Sequence, residues 1–112
     1  MSVRRGEVVI VDWPLFRAAR SKAKPRPAVV VQNDKDDGRL TNTIVAMVTS
    51  VIRRAPEPTQ FLVEIATPEG RGTGLRQDSV VNCINLLTLE QRKVLFSIGV
   101  LLLPSSRSSM IA

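Results

Sequence analysis

Apolar residues in this chain come in short, nearly unbroken runs separated by turn-forming clusters, which is the pattern of buried strands rather than of amphipathic helices. GEVVIVDW at 6–13 is the first run and stops at Pro14. PAVVVQN at 27–33 is the second, followed by the polar turn DKDDGR at 34–39. TIVAMVTSVI at 43–52 is the third and most apolar, and RRAPEP breaks the pattern before FLVEIA at 61–66 resumes it. PEGRGTG at 68–74 reads as a turn and SVVNCINLL at 79–87 as a strand. Thr88 and Gln91 have the spacing of a capping box, which predicts a short helix near residues 89–96. IGVLLL closes as a last strand, and residues from about 104 to 112 read as a flexible tail. Five or six short strands with one small helix predict a mostly β fold, a small barrel of antiparallel strands, in a single domain spanning 1–112.

Composition narrows the possible partners. Sixteen Lys and Arg against ten Asp and Glu give a net charge of +6, and such a balance favours polyanions, nucleic acid first among them. The single Cys83 rules out an internal disulfide and is expected to pack as a small apolar side chain. The N-terminus lacks the apolar segment of a signal peptide. The longest apolar stretch, at 94–104, is shorter than the ~18 residues of a membrane helix, so a cytoplasmic location is expected. The chain has no histidine, which excludes His-based metal sites, triads and acid–base pairs. Asp36 and Asp37 are read as turn residues, not metal ligands, and no cofactor is expected.

One stretch has an unusual build. In KPRPAVVVQND, Pro25 and Pro27 hold Lys24 and Arg26 extended, so Arg26 is presented on a stiff stalk at the entrance of a valine strand. Read by itself, Arg26 is either a solvated loop charge or a binding group, and Thr49 is an ordinary strand threonine. The segment after Trp13 carries Arg17, Arg20, Lys22, Lys24 and Arg26 within ten residues, enough to attract a phosphate backbone. Trp13 itself reads as core. Gly70, Gly72 and Gly74 lack the lysine and helix start of a phosphate-binding loop and read as a hairpin turn.

The order of RRGEVVIVDWP, KPRPAVVVQND, TIVAMVTS, GLRQDSVVNCINLLTL and IGVL resembles the MazF/PemK family of toxin endoribonucleases from bacterial type II toxin–antitoxin pairs, through roughly residues 4–101. The resemblance implies an SH3-like (CcdB/PemK-like) barrel and makes Arg26 and Thr49 the catalytic pair. It implies metal-independent, sequence-selective cleavage of single-stranded RNA, a ribose 2′-hydroxyl attacking its own phosphate to leave 2′,3′-cyclic phosphate and 5′-hydroxyl ends. Arg17, Arg20, Lys22, Lys24, Ser50, Gln77, Asp78 and Ser79 are the expected RNA contacts. The implied partners are RNA, a cognate antitoxin and a second copy in a homodimer, an expectation strengthened by the apolar TIVAMVTSVI run. The sequence departs from the family where relatives carry a cation and this chain has Leu87, and where relatives continue into a C-terminal helix and this chain has Pro104 and a serine-rich tail. Two other readings stand beside the nuclease: a CcdB-like toxin that binds DNA gyrase, and a non-catalytic basic SH3-like module that binds RNA or protein.

Overall fold

The computed structural model describes residues 3–13, 24–50 and 60–102. Six strands form one antiparallel sheet: β1 (Glu7–Trp13), β2 (Lys24–Val30), β3 (Asn42–Thr49), β4 (Gln60–Val63), β5 (Ser79–Glu90) and β6 (Val94–Val100). Their order across the sheet is β4-β5-β3-β2-β1-β6. The antiparallel neighbours β1/β2 and β2/β3 are consecutive in the chain, as the turn signals predict, whereas β3 pairs with β5 across the intervening β4. The mostly β fold is as expected. Among the described residues the sheet has two edges, β4 and β6, so hydrogen bonding does not close it into a barrel.

The near-continuous valine runs are explained by burial on both faces. Val8, Val29, Ala46, Val48 and Val81 belong to one apolar cluster, whereas their strand neighbours Val9, Ala28, Val30, Val45 and Met47 belong to another. Alternate residues of a strand point to opposite faces, and here each face meets a core. Positions 45–48 in β3 are all buried within this one chain. That burial accounts for the apolar run as far as Val48, which therefore no longer argues for a second copy. Cys83 is half-buried against the first cluster, and burial raises its thiol pKa, so it packs as a small apolar side chain.

The helix expected near 89–96 is absent. β5 continues through Thr88 and Leu89 to Glu90, a single 3₁₀ turn (Gln91–Lys93) follows, and β6 begins at Val94. Two helical turns are too short to hold without packing. Strand pairing of β6 with β1, Ile10 opposite Phe96 and Val11 opposite Val94, satisfies the backbone instead. The capping-box residues have other partners: Thr88 lies opposite Ile44. The Gln91 side chain accepts from the Val3 amide (2.9 Å) and donates to the carbonyls of Asp37 (2.7 Å) and Leu40 (2.9 Å).

Two segments read as turns are short helices. In α1 (Asp34–Arg39) Asn33 caps the start by accepting from the Asp36 amide at 2.8 Å, and Arg39 pairs with Asp36 at 3.0 Å. In α2 (Pro68–Arg71) Thr67 accepts from the Gly70 amide at 3.0 Å, with Pro68 in the first turn where its missing N–H costs nothing. Both are cap-plus-turn sequences of the kind that also make isolated turns.

Asp37 has a different role. It is 1% exposed, and its Oδ1 accepts from Thr43 Oγ1 (2.7 Å) and Gln32 Nε2 (2.8 Å), while Oδ2 has no partner. Burial pushes its carboxyl above the ordinary range, with the charges of Asp34 and Asp36 adding to the shift. The unfolded chain releases this proton at lower pH than the folded chain does, so the native state loses stability as pH rises through that interval. Asp37→Asn keeps both bonds to Oδ1 and removes the buried charge. It is expected to stabilise the protein by about 1 kcal/mol at pH 7, with the gain shrinking to nothing near pH 3. Urea denaturation across that range checks it, and a variant less stable at every pH would contradict the assignment.

Candidate functional site

β2 and β3 converge at one end of the sheet, where Arg26 and Thr49 lie. The pairing of Ala28 with Met47 and of Val29 with Ala46 fixes the register between these strands. Arg26 and Thr49 lie two residues beyond the last pair, at the same end of the two strands. Arg26 is exposed and Thr49 half-buried at the rim of a packed sheet. Arg26 makes no hydrogen bond or ion pair within the described residues, which leaves its planar fork of donors free for a ligand.

A cleft of about 740 Å³ opens at this end of the sheet, bordered by Arg26, Thr49, Ser50, Gln77 and Ser79. Five of the site residues named from sequence therefore meet in one place. Gln77 and Ser50 are exposed, whereas Ser79 is buried and donates to the Gln77 carbonyl at 2.9 Å. Asp78 does not border the cleft: its carboxylate accepts from the Ile65 amide at 2.9 Å and ties the loop before β5 to the segment after β4. Lys24 is the first residue of β2, opposite Trp13. Arg17, Arg20 and Lys22 lie outside the described residues, as does the tail from Pro104 onward.

The cleft also holds residues that sequence reasoning missed. Arg76 borders it, and so do Phe96, Ile10 and Pro27. Arg76 stands one position before Gln77, whereas the sequence points to position 87 as the place of a second cation. Leu87 lies opposite Val45 and packs against the second cluster, away from the cleft. The described lining contains two arginines and no carboxylate, so the cleft favours an anionic ligand.

Gly74, with φ at 76°, turns the chain into the loop that carries Arg76 and Gln77. A left-handed backbone at that point suits glycine. The loop is further tied by the Leu75 amide, which donates to Thr73 Oγ1 at 3.2 Å. No helix among the described residues is long and apolar enough to cross a membrane.

Over residues 4–109 the sequence matches the family described as PemK-like, MazF-like toxin of type II toxin–antitoxin system. Among solved structures, the fold is similar to the Mycobacterium tuberculosis toxin MazF-mt6, at 27% identity over 86% of this chain and 80% of that one, with a TM-score of 0.65. It is similar to a further Mtb toxin at 31% identity over 69% of this chain and 76% of that one, with a TM-score of 0.57. It shares its fold with an endoribonuclease in complex with its cognate antitoxin from a mycobacterial species, at 19% identity over 90% and 81% of the two chains, with a TM-score of 0.67.

Proposed function

Because the chain belongs to the PemK-like, MazF-like toxins of type II toxin–antitoxin systems, we propose that it is an endoribonuclease that cuts single-stranded RNA in the cleft beside Arg26 and Thr49, without a metal. The observation that carries this reading is the meeting of Arg26 and Thr49 across the ends of β2 and β3, at the rim of a cleft whose described lining is cationic and free of carboxylates.

In the proposed reaction a ribose 2′-oxygen attacks the adjacent phosphorus and loses its proton. The bond from phosphorus to the 5′-oxygen breaks, and that oxygen leaves as a hydroxyl after gaining a proton. Negative charge grows on the non-bridging oxygens in between. Arg26 meets that charge with two parallel N–H donors and stays protonated throughout. Thr49 donates its hydroxyl to a phosphate oxygen or orients the 2′-hydroxyl, and its branched Cβ restricts it to few rotamers. With no histidine in the chain and no carboxylate in the described lining, the rate rests on positioning and charge stabilisation.

In this reading the basic segment Arg17, Arg20, Lys22 and Lys24 draws the phosphate backbone, and selectivity comes from contacts of the loop that carries Gln77. The same positive surface suits an acidic, flexible antitoxin segment laid over the cleft. The toxin works in the cytoplasm as a homodimer, an arrangement supported by the exposed apolar side chains of Ile84 and Leu86 on β5. Incubating the purified protein with mixed-sequence single-stranded RNA in EDTA, followed by mapping of fragment ends, tests the reading. Selective cuts with 2′,3′-cyclic phosphate and 5′-hydroxyl ends are expected. Intact RNA at high protein concentration would transfer the assignment to a gyrase-binding toxin or a non-cutting module, which a supercoiling assay separates.

A further inference from the structure

We propose that Arg76 and Phe96 form a nucleotide subsite next to Arg26 and Thr49, in which Arg76 holds a backbone phosphate and Phe96 stacks on the base of a nucleotide flanking the cut. The subsite rests on the reading of the cleft as an RNA site. Arg76 is exposed and makes no hydrogen bond or ion pair among the described residues. Its backbone is nonetheless fixed. Gly74 sets the turn before it, and the bonds of Asp78 to Ile65 and of Ser79 to the Gln77 carbonyl anchor the residues after it. A guanidinium without a protein partner on an anchored loop, facing a cleft that already holds Arg26, is placed for a second anion one step along a polyanionic chain.

Phe96 supplies the other half. It is a large aromatic left 56% exposed. Ile10 is its neighbour across β6/β1, and Pro27 is the neighbour of Ile10 across β1/β2, so the three form a row over adjacent strands. A ring at the end of an apolar row, with two arginines around the same cleft, combines the stacking platform and the cationic track that single-stranded nucleic acid uses. An acidic peptide would engage the arginines and gain nothing specific from the ring, so the observations favour a nucleotide.

The test uses a mixed-sequence 2′-O-methyl oligoribonucleotide, which cannot be cleaved because it lacks the attacking hydroxyl. Its affinity is measured as a function of salt for the wild type and for Phe96→Ala, Phe96→Tyr, Arg76→Ala and Arg76→Gln. Phe96→Ala is expected to weaken binding roughly tenfold with an unchanged salt dependence, because stacking is not an ionic contact. Phe96→Tyr retains the ring and restores affinity. Both Arg76 variants are expected to lower the slope of log affinity against log salt by about 0.7, the release of one counterion from a single strand.

Wild-type affinity in Phe96→Ala, or an unchanged salt slope in both Arg76 variants, would overturn the subsite. So would a polyglutamate peptide that loses affinity for the Phe96 and Arg76 variants while the oligonucleotide does not. The wild-type cleavage assay in EDTA is read separately. Cleavage together with unaffected binding by the variants removes the subsite and keeps the nuclease. Ring- and Arg76-dependent binding without cleavage removes the nuclease and keeps the subsite.

Discussion

Arg26→Ala is expected to lower the rate of RNA cleavage by about a thousandfold, the range seen when a preorganised charge-stabilising donor is removed. On the proposed reading, cells expressing this variant are expected to keep growing. The size follows from the proposed chemistry, in which no other described group delivers two aligned, permanently charged donors to the same phosphate. Lysine does not repair the loss, because an ammonium is a point charge without the fork. Arg26→Lys should therefore stay within about tenfold of the alanine variant, an estimate that uses the difference between bidentate and single charge-assisted bonds. Thr49→Ala should lose about a hundredfold, with Thr49→Ser recovering part of it through the retained hydroxyl. Both residues sit at strand ends, Arg26 exposed and Thr49 half-buried, so thermal denaturation should show folded variants. Full toxicity of folded Arg26→Ala would dismiss the site.

Gly99→Ala is expected to be strongly destabilising. Gly99 lies opposite Val8 in the β1/β6 pair, and a Cβ there would collide with the backbone of Gly72 and Thr73. The next amide along, Val100, donates to the Gly72 carbonyl at 2.8 Å, so the two segments are fastened at the point where the methyl would have to fit. A backbone obstacle cannot rotate away as a side chain can. The cost should reach about 3 kcal/mol or more, the upper end for overpacking. Displacing Thr73 would also shift the loop carrying Arg76, so RNA binding should fall with stability. Gly38, inside α1, has nothing within 4 Å of its Cβ position. Gly38→Ala should therefore stabilise by up to about 1 kcal/mol, through helix propensity alone. A difference in midpoint between the two variants, measured by urea denaturation, checks the contrast.

Where the strands lie was legible in the sequence because their valines are continuous and their boundaries carry proline, asparagine and glycine. The segment after Leu87 was misread because TLEQRKVLF satisfies a helix start locally while its apolar residues also fit a strand. Pairing with β1, which lies some eighty residues away in sequence, decided between them. Arg26 and Thr49 were found through block order, since neither side chain's own neighbours distinguish it. Arg76 and Phe96 were missed because each becomes notable only when the loop before β5 and the strand β6 are folded against the same cleft. Leu87 drew attention as a lost cation, yet its place is in the second apolar cluster.

Burial of the sheet on both faces has a cost in specificity. In a sheet with one wet face, sliding a strand by a single residue turns its apolar side to water and is strongly opposed. Here a slip of β2 past β3 would exchange one set of valines for another, and the hydrophobic penalty would be slight. Alignment must therefore be enforced by features that tolerate no substitute position. Between Ala46 and Met47 the facing residue jumps from Leu86 to Asn82, so Cys83, Ile84 and Asn85 form a bulge that fits β3 at one offset only. Gly99 can approach the Gly72–Thr73 backbone at one place, and Gln91 joins the start of the chain to the α1 carbonyls in one alignment. Because Arg26 and Thr49 border the same cleft only in that alignment, these three distant features act as the indexing pins of the proposed active site.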